Sequence, residues 1–483
     1  MVDAIAGPTI RSRFVGVDVD VPIFDGSLRR YINFDNAAST PPLISVRDGI
    51  DRFLDHYASV HRGTGFKSQL STWAYEHARR RVLDFVGADD RQHVAVLVKN
   101  TTEAINKLAR RLPLRRDDVV LTTIMEHHSD DLPFRATARV VHVGVHPDGR
   151  LDEDDFDRQL EAHRGRVRLV AVAGASNVTG YLNPVHRLAR KAHAAGAWIA
   201  VDAAQWAPHR RVRMLDLNDA EHFDFVSFSA HKLYAPYGGG ALVGRRDVFE
   251  QGEPDARGGG TVEIVTVDDV VWSGPPDREE AGSPNVVGAV ALGLAIDELE
   301  AIGLEAVAAH EAALTAHALR RLAEIPGVRI YGDPDPGRAS DRLGVIPFTL
   351  DGLSHFLVAA ILGHEFGIGV RSGCFCAHPY VLCLLGLDSR QVEEARRRML
   401  AGDKSEMPGL VRASFGLYNN LEEVDRFCEA LSRIARGEFA GRYRQDRASG
   451  EYHLEGWAPD FEAVLAGRKS SSGVEADLPR QAR

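Results

Sequence analysis

The sequence predicts an α/β protein built around a mostly parallel sheet with helices on both faces. Between about residues 70 and 245, seven short apolar runs alternate with amphipathic stretches. Such runs are typical of strands that are buried on both faces of a parallel sheet. The 483 residues exceed one simple core, so we expect a second, smaller α/β domain to follow.

The predicted elements alternate regularly along this stretch. The segment STWAYEHARRRVLDFVGA has apolar residues near helical spacing and is predicted to be a helix. There follow strand VAVLV, helix TTEAINKLARRL, strands VVLTTI and RVVHVGV, helix EDDFDRQLEAH, strand RLVAVAG, helix NPVHRLARKAHAA, and strands WIAVD, FDFVSFS and GGALVG. Ligands bind beyond the carboxyl ends of the strands in such sheets, so the residues after each strand are candidates for a site.

The chain is predicted to divide into four parts. Residues 1–30 form a segment that packs on the smaller domain, residues 31–300 the large domain, and residues 301–436 the smaller one. A charged helix and loop at about 384–408 are inserted in the smaller domain, and residues 437–483 form a C-terminal extension. The extension contains a docked tail, and its end, SSSGVEADLPRQAR, has the composition of a disordered segment.

Composition narrows the class of protein. A net charge of −10 argues against a nucleic-acid binder, which needs a basic face. No apolar run approaches the length of a membrane span, and the N-terminus lacks the apolar core of a signal peptide. Four cysteines do not make a disulfide framework in a chain of this size, and three of them cluster at 374, 376 and 383. We therefore expect a cytoplasmic protein, in a reducing compartment, whose clustered cysteines serve thiol chemistry or a metal.

Several strand ends carry groups that suit an anion. Thr101 and Thr102 begin a helix directly after the strand VAVLV, and a helix start with free N–H groups and hydroxyls binds phosphate well. Ser229 and His231, after the strand FDFVSFS, would add donors. Taken singly, a Thr-Thr pair at a helix start is usually only a cap.

The same edge offers a carboxylate and a lysine. Asp202 ends the strand WIAVD and is placed to pair with a protonated ring nitrogen, while Lys232 follows Ser229 closely and could form a Schiff base. A lone strand-end Asp is more often a turn residue, and a lone Lys is usually solvated. Phosphate donors, a ring-nitrogen partner and a Schiff-base lysine on neighbouring strand ends together predict a site for pyridoxal 5′-phosphate (PLP).

These residues lie in a longer pattern. The segment SFSAHKLYAPYGGGALVGRR resembles the lysine segment of class V aminotransferases, above all the group II cysteine desulfurases and selenocysteine lyases. Further segments match in the same order: YINFDNAAST, SVHRG, NTTEAIN, MEHHSD, SNVTGYLNP, VDAAQ, GGGTVEIV, EAGSPN, RSGCFCAHP and VRASFGLYNNLEEVDRF. The resemblance runs from about residue 31 to 436 and implies the type I fold of PLP-dependent transferases, with a seven-stranded sheet.

The resemblance also implies roles for individual residues. Lys232 would carry the cofactor, Asp202 would hold its pyridinium nitrogen, and His127 would stack on its ring. Cofactor contacts are further implied for Thr101, Thr102, Asn177, Gln205, Ser229 and His231. Ser283 would reach the phosphate in a partner subunit, which implies a homodimer, and substrate binding is implied for Arg412, Arg371 and Asn177. A bidentate pair with Arg412 would hold the substrate carboxylate. No metal is expected.

The cysteine segment indicates the reaction. RSGCFCAHP resembles the active-site loop of group II desulfurases, and its GCFC run resembles that of molybdenum-cofactor sulfurases; both use the cysteine at the place of Cys376 as sulfur acceptor. The resemblance implies that Lys232 removes the Cα proton of L-cysteine and that the Cys376 thiolate takes the sulfur, leaving L-alanine. We expect cations such as Arg371 to favour this thiolate. His127 is the candidate base for the substrate thiol, and an acceptor protein would receive the sulfur.

Other interpretations remain open. Cys376 could be a buried apolar cysteine in a class V enzyme with other chemistry, such as a C–S or β-lyase, an epimerase or an aminotransferase. An inactive sulfur carrier or scaffold is a third interpretation. Cys374 could be structural, a reserve thiol, a redox partner of Cys376 or half of a metal clip with Cys383, while Cys428 is expected in the core.

Three features depart from the family pattern. Ser129 and Asp130 stand in MEHHSD where desulfurases often have Ala and Asn. The segment from Leu384 to Pro408 is inserted before Arg412, and the C-terminal extension is unusual. These departures bear on substrate and sulfur acceptor more than on the cofactor.

Overall fold

The computed structural model describes residues 8–467. Its strands are β1 (Asp20–Pro22), β2 (Leu28–Arg30), β3 (Ile32–Asn33), β4 (His93–Val98), β5 (Val119–Thr123), β6 (Arg139–Val143), β7 (Val167–Ala173), β8 (Trp198–Asp202), β9 (Phe225–Ser229), β10 (Gly240–Arg245), β11 (Val262–Val265), β12 (Val270–Trp272), β13 (Val328–Ile330), β14 (Val345–Leu350), β15 (Ile368–Gly369), β16 (Arg371–Gly373), β17 (Leu410–Ser414), β18 (Tyr443–Gln445) and β19 (Tyr452–Leu454).

Helices cover these strands. They are α1 (Pro8–Arg11), α2 (Ile44–Leu54), α3 (Phe66–Val86), α4 (Thr101–Arg111), α5 (Leu132–Arg135), α6 (Glu153–Ala162), α7 (Val185–Ala194), α8 (Arg246–Phe249), α9 (Val286–Ile302), α10 (Leu304–Ala323), α11 (His355–Phe366), α12 (His378–Leu384), α13 (Ser389–Leu400), α14 (Leu421–Ala435) and α15 (Phe461–Leu465). None of these helices combines the length and apolarity that crossing a bilayer requires.

The predicted mostly parallel sheet is confirmed. Its seven strands lie in the order β4-β10-β9-β8-β7-β5-β6, and β10 alone runs in the direction opposite to the other six. Strands β8 and β9 are fully buried apart from Trp198, as expected for a sheet covered on both faces. Because the parallel strands end at one edge, Asp202, Ser229 and the start of α4 meet there.

Helix α3 shows how local sequence sets the bounds of these elements. It begins at Phe66, five residues before the predicted segment, and ends at Val86. Gly87 closes it with a φ of 66°, a left-handed conformation that glycine adopts without a Cβ clash. The helix then packs on α9, which places both over one face of the sheet.

A second, four-stranded sheet follows, in the order β13-β14-β17-β16. Side chains of α10, α11 and α14 form its core, and Cys428 is buried there as predicted. Arg412 lies on the central strand β17 and Arg371 on the edge strand β16, so this sheet delivers both arginines towards the large domain.

The segments at both ends of the chain pack on these units. The Phe24 N–H donates to the His364 carbonyl of α11, and the Phe14 ring packs on Tyr234 with centroids 5.0 Å apart. In the extension, the N–H groups of Ala440 and Gly441 donate to Glu365. The domain limits stay predictions, and the end of the chain that we expect to be disordered lies outside the described residues.

The inserted segment contains a surface helix, as predicted. None of the residues of α13 is buried, and a capping box at Asp388 begins the helix. The chain then returns along the C-terminal extension, where the Lys404 N–H donates to the Arg447 carbonyl at 2.8 Å and Gln445 Nε2 donates to the Ser405 carbonyl at 2.8 Å. The insertion and the extension therefore support each other.

Candidate active site

A cavity of about 460 Å³ lies at the carboxyl edge of the seven-stranded sheet. Its walls contain most of the predicted site residues, namely Thr101, Thr102, His127, Asn177, Asp202, Gln205, Ser229, His231, Lys232, Arg371, Cys376 and Arg412. Ser283 is exposed in the loop before α9 and does not line the cavity, so its predicted contact with a partner subunit stays a prediction. Residues far apart in sequence thus converge on one site.

One end of the cavity is built for an anion. The Thr101 N–H at the start of α4 donates to Ser229 Oγ at 2.8 Å, and the two hydroxyls of these residues lie 2.7 Å apart. Thr102 Oγ1 lies 2.7 Å from Ser129 Oγ. The N-terminal N–H groups of a helix, together with hydroxyls, form the kind of donor cluster that binds phosphate.

Lys232 lies in the short turn that follows β9. The N–H and the hydroxyl of Thr40 both donate to the His231 carbonyl, at 2.9 and 3.0 Å, and so hold this turn. Desolvation lowers the pKa of the Lys232 amine to about 8, although Asp202 opposes the shift. Its Nζ forms no hydrogen bond or ion pair with any residue from 8 to 467, which leaves a reactive amine facing the cavity.

Asp202 ends β8 at the floor of the cavity. Its Oδ1 accepts a hydrogen bond of 2.8 Å from the Ala204 N–H, and burial raises the pKa of its carboxyl. A buried carboxylate with few hydrogen bonds is suited to accept one from a cationic N–H group of a ligand. Gln205 lies beside it and donates through Nε2 to the Ala37 carbonyl at 2.7 Å.

His127 is held as a neutral ring. The Ser129 N–H donates to His127 Nδ1 at 3.1 Å, and Ser129 Oγ lies 3.0 Å from the same nitrogen. Burial, followed by the charge of Lys232, lowers the pKa of the ring to about 3. Because Nδ1 accepts these hydrogen bonds, the ring proton sits on Nε2. This tautomer suits His127 to donating a hydrogen bond more than to the predicted role of a base.

Arg412 is buried at the wall opposite the sheet. It donates through Nη1 to the Asn177 carbonyl at 2.9 Å and through Nη2 to Asp35 Oδ1 at 3.0 Å. Its Nε is buried without a hydrogen-bond partner in the described chain, and burial lowers the pKa of the guanidinium. An incompletely satisfied buried cation is suited to a substrate carboxylate.

Cys376 lies on a constrained loop in the cavity wall. Phe375 and Cys376 have φ values of 51° and 55°, in the left-handed region that disfavours side chains. Three contacts hold them there: Asn177 Nδ2 donates to the Phe375 carbonyl at 2.8 Å, the His128 N–H donates to the Cys376 carbonyl at 2.7 Å, and Arg412 lies over the Phe375 ring at 4.7 Å. The Cys376 side chain itself is exposed, which contradicts the buried apolar interpretation.

Cys374 faces away from this wall. Its thiol is buried, donates to the Pro408 carbonyl at 3.0 Å, and has its pKa raised to about 12 by burial. The structural interpretation of Cys374 is therefore the one that the structure favours. Arg371 lies at the rim, about half exposed, with Nε 3.3 Å from Asp35 Oδ2.

Sequence reasoning assigned no role to three residues of this site. Asp35 links both arginines, Ser129 links Thr102 to His127, and the Phe375 ring supports Arg412. Asp35 lies within the motif YINFDNAAST and Ser129 was noticed as a departure, so both could have been singled out. Their contacts join distant segments and are visible only in the folded chain.

The cavity fits PLP on its own chemistry. An anion-binding helix start, a ring-nitrogen carboxylate, a neutral histidine for stacking and an unpaired amine all line one space. Thr101, Thr102, Ser229 and His231 would hold the phosphate, and Lys232 would bind the aldehyde carbon. Within residues 8–467, Lys232 Nζ and Arg412 Nε have no hydrogen-bond partner, and a bound cofactor and amino acid would satisfy them.

Comparison with known proteins agrees with this site. The family model of aminotransferase class-V matches residues 32–427. A cysteine desulfurase of Haloferax volcanii is 36% identical over 450 residues, covering 91% of this chain and 98% of its own. Among solved structures, the apo cysteine desulfurase of Thermococcus onnurineus NA1 has a TM-score of 0.74 at 34% identity, covering 88% of this chain and 99% of its own.

A further solved structure extends the comparison. A cysteine desulfurase of Escherichia coli, solved as an S-sulfonic acid, has a TM-score of 0.72 at 28% identity, covering 89% of this chain and 98% of its own. In each comparison, the match covers most of this chain and nearly all of the other one. The chain belongs to the class V aminotransferase family, whose enzymes depend on PLP.

Proposed function

We propose that this protein is a cysteine desulfurase, which converts L-cysteine to L-alanine and holds the sulfur as a persulfide on Cys376. The observation that carries the proposal is the exposed Cys376 thiol in the same cavity wall as Lys232 and Arg412. Relatives at 36% identity that bear the name cysteine desulfurase support it.

The arginines orient the substrate. Arg412 offers a buried cation whose Nε has no hydrogen-bond partner among the described residues, so it is the group that binds the amino-acid carboxylate. Arg371 at the mouth would attract the same anion from solvent. Fixing the carboxylate at Arg412 directs the substrate side chain to the Cys376 side of the cavity.

Two residues handle protons. When bound, PLP supplies an electron sink that acidifies the substrate Cα and weakens its Cβ–S bond. An amine with a pKa of about 8, as in Lys232, can both take up and return a proton near neutral pH. His127, neutral and protonated on Nε2, donates a hydrogen bond to the bound molecule.

The sulfur step needs no outside oxidant. The Cys376 thiolate attacks the substrate sulfur, an S–S bond forms and the substrate Cβ–S bond breaks. The electron pair of the broken bond remains with the carbon skeleton, which takes up a proton to become the methyl group of alanine. The sum is L-cysteine plus thiol giving L-alanine plus persulfide, and a thiol acceptor, in the cell a partner protein, then removes the outer sulfur.

The proposed assembly is a cytoplasmic homodimer. The hairpin β11–β12 exposes apolar side chains, with Ile264 58%, Val265 56% and Val267 100% exposed. Exposed apolar side chains grouped on one hairpin are typical of protein interfaces. Ser283, exposed in the loop that follows this hairpin, would complete the phosphate site of the second subunit, and light scattering would measure the mass of the assembly.

The test uses PLP-loaded protein with L-cysteine and a thiol reductant. Alanine, sulfide and pyruvate are quantified together in the wild type and in the variants Cys376→Ala and Cys374→Ala. Equal amounts of alanine and sulfide, lost in Cys376→Ala and retained in Cys374→Ala, are the expected result. Sulfide with pyruvate, unaffected by Cys376→Ala, would indicate a β-lyase and refute the proposal.

A further inference from the structure

Three carboxyl groups are buried beneath the cavity. Asp202 forms part of its floor, while Glu126 and Asp130 lie behind it and are 3% and 1% exposed. Asp130 stands at the position where the resembling MEHH segments often carry Asn. The reaction described above uses Asp202 but gives no task to the other two.

The hydrogen bonds of Glu126 indicate which carboxyl of the Glu126–Asp130 pair carries a proton. Glu126 accepts from Thr123 Oγ1 at 2.7 Å through Oε1 and from the Ala173 N–H at 2.8 Å through Oε2. The carboxyl of Asp130 lies beside that of Glu126, and its Oδ2 is buried without a hydrogen-bond partner in the described part of the chain. A hydrogen bond between the two carboxyls would require one proton. Both oxygens of Glu126 already accept while Oδ2 of Asp130 has no donor in the described chain, which favours Asp130 as the group that carries the proton.

Charge balance leads to the same assignment. The neighbouring Asp131 pairs with Arg135 and with His142 Nε2 at 3.2 Å. By contrast, no ion pair in residues 8–467 involves Glu126 or Asp130, and the nearby cation, Lys232, acts on Asp202. Two unpaired charges in contact would be very costly at this depth.

We propose that Asp130 is a positioning residue: it stays a neutral acid that donates to Glu126, so the pair carries one negative charge and Asp202 is free to carry its own. This inference rests on the proposed function only for its consequence in the reaction. Asp202 must be ionised to hold a pyridinium nitrogen, and a doubly charged pair behind it would favour its protonation.

The titration of the pair is consistent with this arrangement. Burial, with further contributions from the neighbouring carboxyls, raises the pKa of both Glu126 and Asp130, and that of Asp130 lies well above its usual range. The folded protein therefore keeps a proton that the unfolded chain loses near pH 4. The stability that it contributes is complete below about pH 4 and is lost as pH rises through the raised pKa of Asp130.

The variant Asp130→Asn tests the shared proton with little change in shape. Asparagine keeps an N–H donor towards Glu126 but has no proton to lose. We compare the unfolding equilibrium constant of the PLP-loaded wild type with that of this variant. Between about pH 5 and 8, the ratio of the two constants should rise about tenfold for each pH unit, because the wild type loses one more proton on unfolding. Denaturant titrations at several pH values measure this slope.

The matched control is Asp131→Asn, which removes an adjacent buried carboxyl that is paired with cations. Because its partners hold the pKa of Asp131 at about 2, the control should keep the wild-type slope above pH 5. Equal slopes in the wild type and Asp130→Asn would overturn the proposal.

An infrared measurement keeps the test decisive if Asp130→Asn folds poorly. The carbonyl stretch of a protonated carboxylic acid should be present in the wild type at pH 7 and retained in Asp131→Asn, and its absence from the wild type would also overturn the proposal. Turnover of L-cysteine is assayed separately. Absent turnover with unequal slopes would refute the proposed function and leave the shared proton supported.

Discussion

We expect the replacement of Arg412 with Met to weaken substrate binding strongly while it changes the free energy of unfolding only slightly. The guanidinium is buried and donates to Asn177 and Asp35, while its Nε has no hydrogen-bond partner in the part of the chain that the structure describes. Burial lowers the pKa of the guanidinium, so its charge is held in the cavity wall against a desolvation cost. Methionine of similar volume would fill the space without charge, and the substrate carboxylate would lose its cation.

The expected magnitudes follow from these contacts. Removing a charged partner from a buried carboxylate costs roughly 3 kcal/mol, which corresponds to about 150-fold in kcat/KM for L-cysteine. For the fold, the lost Asp35 pair and the unbonded Asn177 carbonyl cost about 1–3 kcal/mol, while relief of desolvation offsets a similar amount. We expect the free energy of unfolding to change by less than about 2 kcal/mol.

The assay compares steady-state kinetics with the free energy of unfolding in urea. Arg371→Met is the matched control, because Arg371 contacts the same Asp35 from the exposed rim. A rim pair of this kind contributes about 0–1 kcal/mol, so we expect a change in KM below about fivefold. Similar losses of kcat/KM in both variants, or a loss in Arg412→Met that leaves KM unchanged, would refute the assignment of the carboxylate to Arg412.

Three further predictions concern the same cavity. Ser129→Ala should let the His127 ring exchange between tautomers, seen as a move of its Nδ1 ¹⁵N chemical shift away from the unprotonated value; an unchanged shift would show that the backbone N–H suffices. In the PLP-free protein, the reaction of Lys232 with an amine reagent should level off above about pH 8, because its pKa is lowered to about 8; a plateau near the usual lysine value of about 10 would contradict this. Iodoacetamide should label Cys376 at neutral pH and spare Cys374, whose pKa is about 12, as peptide mass spectrometry would show; equal labelling would contradict its burial.

Much of the fold could be predicted because strands that are buried on both faces appear in the sequence as short, nearly continuous apolar runs. The runs at β7, β8 and β9 are largely apolar with no regular polar alternation, which indicates strands covered on both faces. The antiparallel direction of β10 could not be read from its run GGALVG, since strand direction depends on the connection across the sheet and not on the residues themselves. The sequence also did not predict that α3 begins at Phe66. Lys67, Ser68 and Gln69 in its first turn are polar, so they show no helical repeat of apolar residues.

The candidate site divides in the same way. Lys232, Asp202 and the threonines at the start of α4 follow strands that end at a common edge, so their proximity follows from topology. Arg412 was assigned by resemblance alone, and its partner Asp35 lies 377 residues away in the sequence. No local pattern links two such residues, because their contact requires the small sheet to pack against the large domain.

The sequence by itself determined the α/β class, the cofactor chemistry and the residues that follow each strand, because these depend on local periodicity and on side-chain type. The tertiary structure decided which groups are charged, exposed or paired. It exposed Cys376 and buried Cys374 two positions away, since a left-handed turn at Phe375 and Cys376 sends the two thiols to different surroundings. It also brought Glu126, Asp130 and Asp202 together beneath the cavity, and only such packing creates the low-dielectric contact in which carboxyl groups share a proton.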